Sequence, residues 1–231
     1  MALDPVPPPA AGAVVRPLRP DDLPEAARLH AAALPEGFFS RLGPRFVARY
    51  LESYLDGPVA VALAAEVDGR QVGHLAGTVG PGHYAWALRH RWRRLLPYAA
   101  LALVTRPSLL VPLLRTRVGR YTRALRRVAH GAGDVAERAA DQAVLGVPAA
   151  LLHIAVEPDA RGTGAGAALV RAFEERARAA GCRSARLVAF AGDPADPSSG
   201  AGPFYERLGW LRTGERVDDS GRQVLVYSRA L

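Results

Sequence analysis

The residues from Leu151 to Gly181, LLHIAVEPDARGTGAGAALVRAFEERARAAG, constrain this chain more than any others. Leu151, Leu152, Ile154 and Val156 form a short apolar, partly β-branched run bounded by Pro158, the pattern of a buried strand. Arg161, Gly162, Thr163, Gly164, Ala165 and Gly166 follow as a glycine-rich turn. Leu169, Ala172, Phe173, Arg176, Ala177 and Ala180 then recur at helical spacing, with Gly181 as the expected stop. Alternating glycines let the backbone approach a ligand without Cβ interference. The first helical turn leaves N–H donors free and puts the positive end of its dipole at the same point. Strand, turn and helix together make an anion cradle suited to phosphate, to which Arg161 adds a fixed charge.

Two common phosphate motifs do not fit. A Walker-type loop needs a lysine after its last glycine, and this chain has no lysine. A dinucleotide fingerprint could be laid over Gly162, Gly164 and Ala167, but its first glycine should follow the strand almost directly. Here Glu157 to Arg161 intervene, and too little chain follows to complete a doubly wound sheet.

Val156, Pro158, Arg161, Gly162, Gly164 and Gly166 spell V-x-P-x-x-R-G-x-G-x-G. This resembles the acyl-CoA-binding motif of the GNAT acetyltransferase superfamily. A second block, PFYERLGW from Pro203 to Trp210, lies about forty residues downstream and precedes two strand-like runs, in the order the superfamily shows. The resemblance is tight over 148–231 and loose over 13–80. It implies an α/β (α+β) fold with a mixed sheet, in which 13–231 form a single domain and 81–147 a basic helical insertion between the third and fourth strands.

Composition agrees with one globular domain: 49% of residues are hydrophobic and 23% charged. The single cysteine, Cys182, cannot form an internal disulfide and reads as a packing residue. The N-terminus lacks a signal-peptide pattern, so a cytoplasmic location is expected. Residues 1–12, rich in proline and alanine, read as a disordered tail. Val14 to Leu18 reads as the first strand. Asp21 or Asp22 is placed to cap a helix through Ala33, with Leu23, Ala26, Ala27 and His30 on one face. A second helix is expected from Pro44 to Leu55, and Phe38 and Phe39 before it read as core or pocket lining. Val59 to Val67 and Gln71 to Val79 are strand-like and joined by Asp68-Gly69, a two-residue hairpin turn. Glu66 and His74 lie in these strands and face either the site or solvent. Ala185 to Phe190, a loop from Ala191 to Gly202, a short helix from Phe204 to Leu208, and strands at Trp210–Val217 and Gln223–Ser228 complete the chain.

The segment between Asp68 and Asp134 is unusual. It holds twelve arginines and no acidic residue, while the whole chain carries +8. Apolar runs at Leu95–Val104 and Leu109–Leu114 are punctuated by Pro97, Pro107 and Pro112, so two or three short helices are expected, broken at Pro107 and Pro112. Each run is far short of the roughly 20 apolar residues that span a bilayer. The readings left open are a helical lid with solvated arginines, an anionic membrane surface bound through 89–127, and an acidic partner or acceptor. At a membrane, each arginine would contribute on the order of 1 kcal/mol. Nucleic acid is disfavoured, because aromatic residues are sparse there and no reader motif appears. Ala129 to Val147 reads as a linker back to the sheet.

Acyl transfer from a thioester to an amine needs an aligned carbonyl, a base for the amine, a donor to the developing oxyanion and an acid for the thiolate. The resemblance implies acetyl-CoA as co-substrate, with no metal. It lays Ile154, Ala155 and Val156 along the pantetheine arm, with an N–H near Val156 as oxyanion donor. Arg161, Gly162, Thr163, Gly164, Ala165 and Gly166 would hold the pyrophosphate. Tyr205, beside Phe204, aligns with the tyrosine that serves the leaving thiolate. The pantetheine-contacting asparagine would fall near Ser198, where Ser199 is a substitute. For the base, His153 is the first candidate, since its pKa lies near neutrality and it points opposite to Ile154 by alternation. Glu66 is the second, and a water chain is the third. The expected function is N-acetylation of a primary amine on a small molecule or peptide. A sugar- or lipid-linked acceptor at a membrane, a non-catalytic acyl-CoA-binding module and a homodimer remain open.

Overall fold

The computed structural model describes residues 12–35, 37–109, 147–192, 200–218 and 221–231. Seven strands form one sheet in the order β1-β2-β3-β4-β5-β7-β6. They are β1 (Val14–Pro17), β2 (Ala60–Val67), β3 (Arg70–Thr78), β4 (Ala149–Val156), β5 (Ser184–Phe190), β6 (Leu211–Val217) and β7 (Gln223–Ala230). All neighbours are antiparallel except β4 and β5. That parallel pair requires a crossover, which the long helix after the glycine turn supplies.

The helices among the described residues are α1 (Leu23–Ala33), α2 (Phe38–Arg41), α3 (Pro44–Asp56), α4 (His83–Thr105), α5 (Ala165–Ala179) and α6 (Gly202–Arg207). Strand alternation divides the core in two. Leu63, Ala65, Val72 and Leu75 face α5, which answers with Leu169, Val170, Phe173 and Ala177. Ala64 and Ala76 face the other way, onto Leu23, Ala26 and Ala27 of α1 and Val47, Leu51 and Tyr54 of α3. The Asp68-Gly69 turn has φ of 51° and 74°, the two positive values a tight primed hairpin needs. α5 ends as its sequence suggests, with Gly181 at φ 81°.

Three local expectations need correction. Asp22 stands at the N-cap of α1, yet its side chain makes no cap bond there. Its carboxylate instead accepts from the Arg16 guanidinium, at 2.6 and 2.9 Å, and from the Arg19 N–H. Arg16 holds the Asp22 carboxyl below its ordinary range. On α5, Arg176 and Ala180 are exposed, whereas Glu174 is buried. Glu174 accepts from Trp210 Nε1 at 3.0 Å and pairs with Arg229, so the acid is satisfied inside the core, although burial pushes its carboxyl upward. Finally, α4 is one helix of 23 residues that starts at His83 and runs through Pro97, in place of shorter pieces. Pro97 lies on the solvent side, and Arg93, whose carbonyl it leaves without a helical donor, is exposed as well. The chain does break before Pro107, which opens a single 3-10 turn. The tail to Ala11, Pro112, the linker to Gly146 and most of the loop before Gly200 fall outside the described residues.

Gly77 lets β3 and α5 approach closely. A Cβ there would lie 2.6 Å from Phe173 Cε2 and 2.7 Å from the Ala150 carbonyl oxygen. Gly77→Ala should therefore destabilise the fold by roughly 1–3 kcal/mol in denaturant titrations, the usual cost of overpacking. An unchanged midpoint would show that β3 and α5 can separate freely.

Candidate active site

β4 pairs with β3 along its length, but with β5 only where Ala149–Leu151 meet Ala185–Leu187. Beyond that the strands part. β5 continues on β7 alone through Phe190, and β4 continues on β3 alone through Val156. The register on β3 steps from Gly77↔Leu151 to Ala76↔His153, leaving Leu152 as a bulged, exposed residue. A bulge bends and twists its strand, and this one sits where the divergence begins. It also resets alternation. Leu151 and Ile154 both pack toward α5, while His153 turns to the α1/α3 side, opposite to Ile154 as expected.

The Glu157 N–H donates to the Val72 carbonyl at 2.8 Å. Alternation then turns the peptide groups of Ile154 and Val156 into the gap and that of Ala155 toward β3. Of the three residues expected along a ligand arm, two therefore offer main-chain groups to it.

A 3-10 turn, Pro158–Ala160, leads out of the strand. Gly162 and Gly164 take φ of 83° and 85°, and the Thr163 hydroxyl donates to the Ala160 carbonyl at 2.7 Å. The first helical bond of α5 runs from the Ala168 N–H to the Gly164 carbonyl. The N–H groups of Ala165, Gly166 and Ala167 therefore have no partner within the helix. Arg161 is exposed beside them. A Cβ on Gly166 would lie 3.3 Å from Phe204 Cζ and 3.6 Å from Val156 Cγ2. The end of β4, the start of α5 and the α6 block thus converge at the mouth of the gap.

Tyr205 is buried, with its ring near Phe204, Trp210 and Tyr227 at 5.1, 6.1 and 5.9 Å between centroids. Burial pushes its phenol well above the ordinary value. Ser199 lies outside the described residues. Glu66 is not open: its carboxylate accepts from both Nε and a terminal nitrogen of Arg16, in the ion-pair group that includes Asp22.

His153 belongs to a polar cluster that the sequence did not reveal. His30 from α1 lies 5.1 Å from it, centroid to centroid, and His74 from β3 lies 6.1 Å from His30. His153 Nε2 is 3.4 Å from the Tyr50 hydroxyl, which is 2.9 Å from the Tyr54 hydroxyl, and the Tyr54 ring stacks 4.1 Å from His83. His74 is fully buried, and neither of its ring nitrogens finds a partner. His30 already stood on the buried face of its helix by sequence. Only the fold brings it to His153 and His74. Among the described residues, no group of His, Cys, Asp or Glu is arranged to hold a metal ion.

Burial holds all four imidazoles neutral. It lowers His30 and His83 to about 4 and, with His30 nearby, lowers His74 to about 3. His153 falls well below its usual value, first from burial and then from the three neighbouring histidines. In the unfolded chain these groups titrate near the ordinary 6.5 of histidine. Between the two values the unfolded state binds more protons, so stability is present above about 6.5 and is lost as pH falls toward about 4. Melting temperature should therefore drop steeply across that window, and His74→Leu should flatten the slope. An unchanged slope in that variant would mean that the titration lies elsewhere.

Comparison with known proteins places this geometry. Residues 126–211 match the family model described as an acetyltransferase (GNAT) domain. No curated protein sequence is similar enough to match. Among solved structures, the chain is similar to Ard1 from Thermoplasma volcanium (TM-score 0.54, 14% identity, covering 96% of this chain and 99% of that one). It is also similar to an aminoglycoside 6'-N-acetyltransferase complexed with coenzyme A (TM-score 0.55, 13% identity, 94% and 96%). An acetyltransferase from Thermus thermophilus gives a TM-score of 0.51 at 16% identity over 96% and 99% of the two chains. At these identities the structures testify to the fold, and the family model adds the domain. Residues 126–211 thus match an acetyltransferase (GNAT) domain, and the fold around them is the one that these acetyltransferases of known structure share.

Proposed function

We propose that the protein transfers an acetyl group from acetyl-CoA to a primary amine of a small molecule or peptide, with residues 13–231 acting as one domain in the cytoplasm. The observation that carries this reading is the gap between β4 and β5, which ends at the unpaired N–H groups of α5. A strand edge whose alternate peptides have no protein partner fits the amides of a pantetheine arm, which would take the place of a missing strand. Two left-handed glycines, three unpaired N–H groups and Arg161 fit a pyrophosphate. The structural neighbour that was crystallised with coenzyme A supports the same fit.

Acetyl-CoA supplies a thioester carbonyl, to which the amine lone pair bonds as the C–S bond breaks and the sulfur leaves as thiolate. The chain's own groups do the rest. The Val156 N–H, turned into the gap, donates to the carbonyl oxygen as negative charge develops there. His153, kept neutral by burial, accepts the proton the nitrogen loses as it bonds to carbon. The Tyr50 hydroxyl orients that imidazole through Nε2. Tyr205 stays protonated and donates a hydrogen bond toward the thiolate, and in a dry site burial raises the thiol's pKa as well as the phenol's. Glu66 is a weaker candidate for the base, because Arg16 occupies its carboxylate. A lipid- or sugar-linked acceptor draws support from α4, whose inner face packs on Phe39 and Tyr50 beside His153.

Calorimetry with acetyl-CoA is the deciding experiment. Gly164→Glu combines a strained φ with a side chain in the cradle and should weaken binding by more than about tenfold, with Arg161→Glu as a variant free of backbone strain. His153→Ala should bind normally yet lose about 100-fold or more in kcat on a responsive amine. Absence of binding by the unmodified protein would refute the reading. Binding without turnover on any amine, sugar or lipid acceptor would leave a non-catalytic acyl-CoA-binding module.

A further inference from the structure

We propose that the outward face of α4 is a docking surface for an anionic lipid bilayer. The inward face of this helix is accounted for: Leu95, Tyr98, Ala99, Ala102 and Leu103 pack on Phe38, Phe39, Leu42 and Phe46. Arg91 pairs with Asp56, and Arg94 with Glu52 at 3.1 Å, so the two acids at this contact are already matched.

The outward face is different. Trp92, Leu96, Leu101 and Val104 are 44%, 56%, 56% and 79% exposed. Ten large hydrophobic side chains are exposed among the described residues, and α4 carries these four and Tyr84. Such a concentration on one helix marks an interaction surface, whereas scattered exposed leucines do not. Arg89 and Arg93 lie among them, with the Arg93 guanidinium 5.7 Å over the Trp92 ring. No acidic residue occurs anywhere in the helix.

This mixture selects the partner. Apolar side chains shallowly inserted beside guanidinium groups that reach back to headgroups are how an interfacial helix binds, and tryptophan is enriched at that depth. A duplex nucleic acid would use the arginines but leave Leu96, Leu101 and Val104 without a role. No helix among the described residues is long and apolar enough to cross a membrane, so the contact is with the surface. The docking rests on α4 alone and does not depend on the acetyl-transfer chemistry.

The test is sedimentation of the full chain with phosphatidylglycerol–phosphatidylcholine vesicles, at low and high salt, with Trp92 emission as a second readout. Binding to the anionic vesicles, weakened at least about tenfold by salt and accompanied by a blue shift, is expected. Leu96→Gln with Val104→Gln removes apolar surface without changing charge. It should cost about tenfold in partitioning while leaving acetyl-CoA binding and melting temperature unchanged. Arg93→Gln should weaken binding and reduce its salt dependence. Three results would overturn the proposal: no binding to anionic vesicles at low salt, equal binding to pure phosphatidylcholine, or binding that responds to Arg93→Gln but not to the apolar pair. The last pattern, repeated with a duplex RNA probe, would identify a polyanion site instead.

Discussion

The separation of β4 from β5 after Leu151 is the feature on which the rest of this structure depends. Three residue pairs hold the two strands together, and then each follows a different neighbour. Opening a sheet in its middle exposes peptide groups that would ordinarily be paired, which is costly unless something else satisfies them. The surrounding architecture keeps the opening from closing or spreading. α5 lies under β1 to β4 with a tightly packed seam at Phe173, and β7 holds β5 from the other side. The bulge at Leu152 gives β4 the bend it needs, and the same bulge turns His153 to the α1/α3 side. Ligand edge and candidate base thus arise from one irregularity.

The two faces of the sheet have different electrostatic characters. The α5 face is apolar apart from Glu174, which the Trp210 and Arg229 donors satisfy. The α1/α3 face carries His30, His74 and His153 with Tyr50 and Tyr54, and among the described residues no carboxylate pairs with these imidazoles. Buried imidazoles without an anionic partner stay neutral, because low dielectric disfavours their charged form more than nearby hydroxyls favour it. Neutrality is what a proton acceptor requires, and it comes with a sensitivity of the fold to acid. The arginines of α4 sit outside this layer, so the strong positive charge of the segment does not reach the histidines through direct pairing.

Much of this was legible in the residues. The glycine turn declared itself because Gly162 and Gly164 are needed at positive φ, and the Asp68-Gly69 hairpin did so for the same reason. Periodicity placed α1, α3 and α5 within a few residues, since an amphipathic helix writes its buried face at fixed intervals. It misjudged Arg176 and Ala180, which are exposed on either side of the buried Ala177. It also expected short helices where α4 runs unbroken for 23 residues, through Pro97. A proline on the solvent side of a helix costs less than one whose carbonyl partner is buried, and burial is not written in the local sequence.

The sequence by itself determined the order of elements, the glycine turn between β4 and α5 and the family resemblance, because each depends on local backbone preference and short-range spacing. Only the tertiary structure decided which side chains meet. His30, His74, His83 and His153 are separated by up to 123 residues along the chain, and their contact depends on strand register and on how α1 and α3 cross the sheet. Likewise, Glu66 is tied to Arg16 because β1 pairs with β2, a long-range match that neither segment specifies alone. Propensity acts over a few residues, whereas packing is settled by all of them at once.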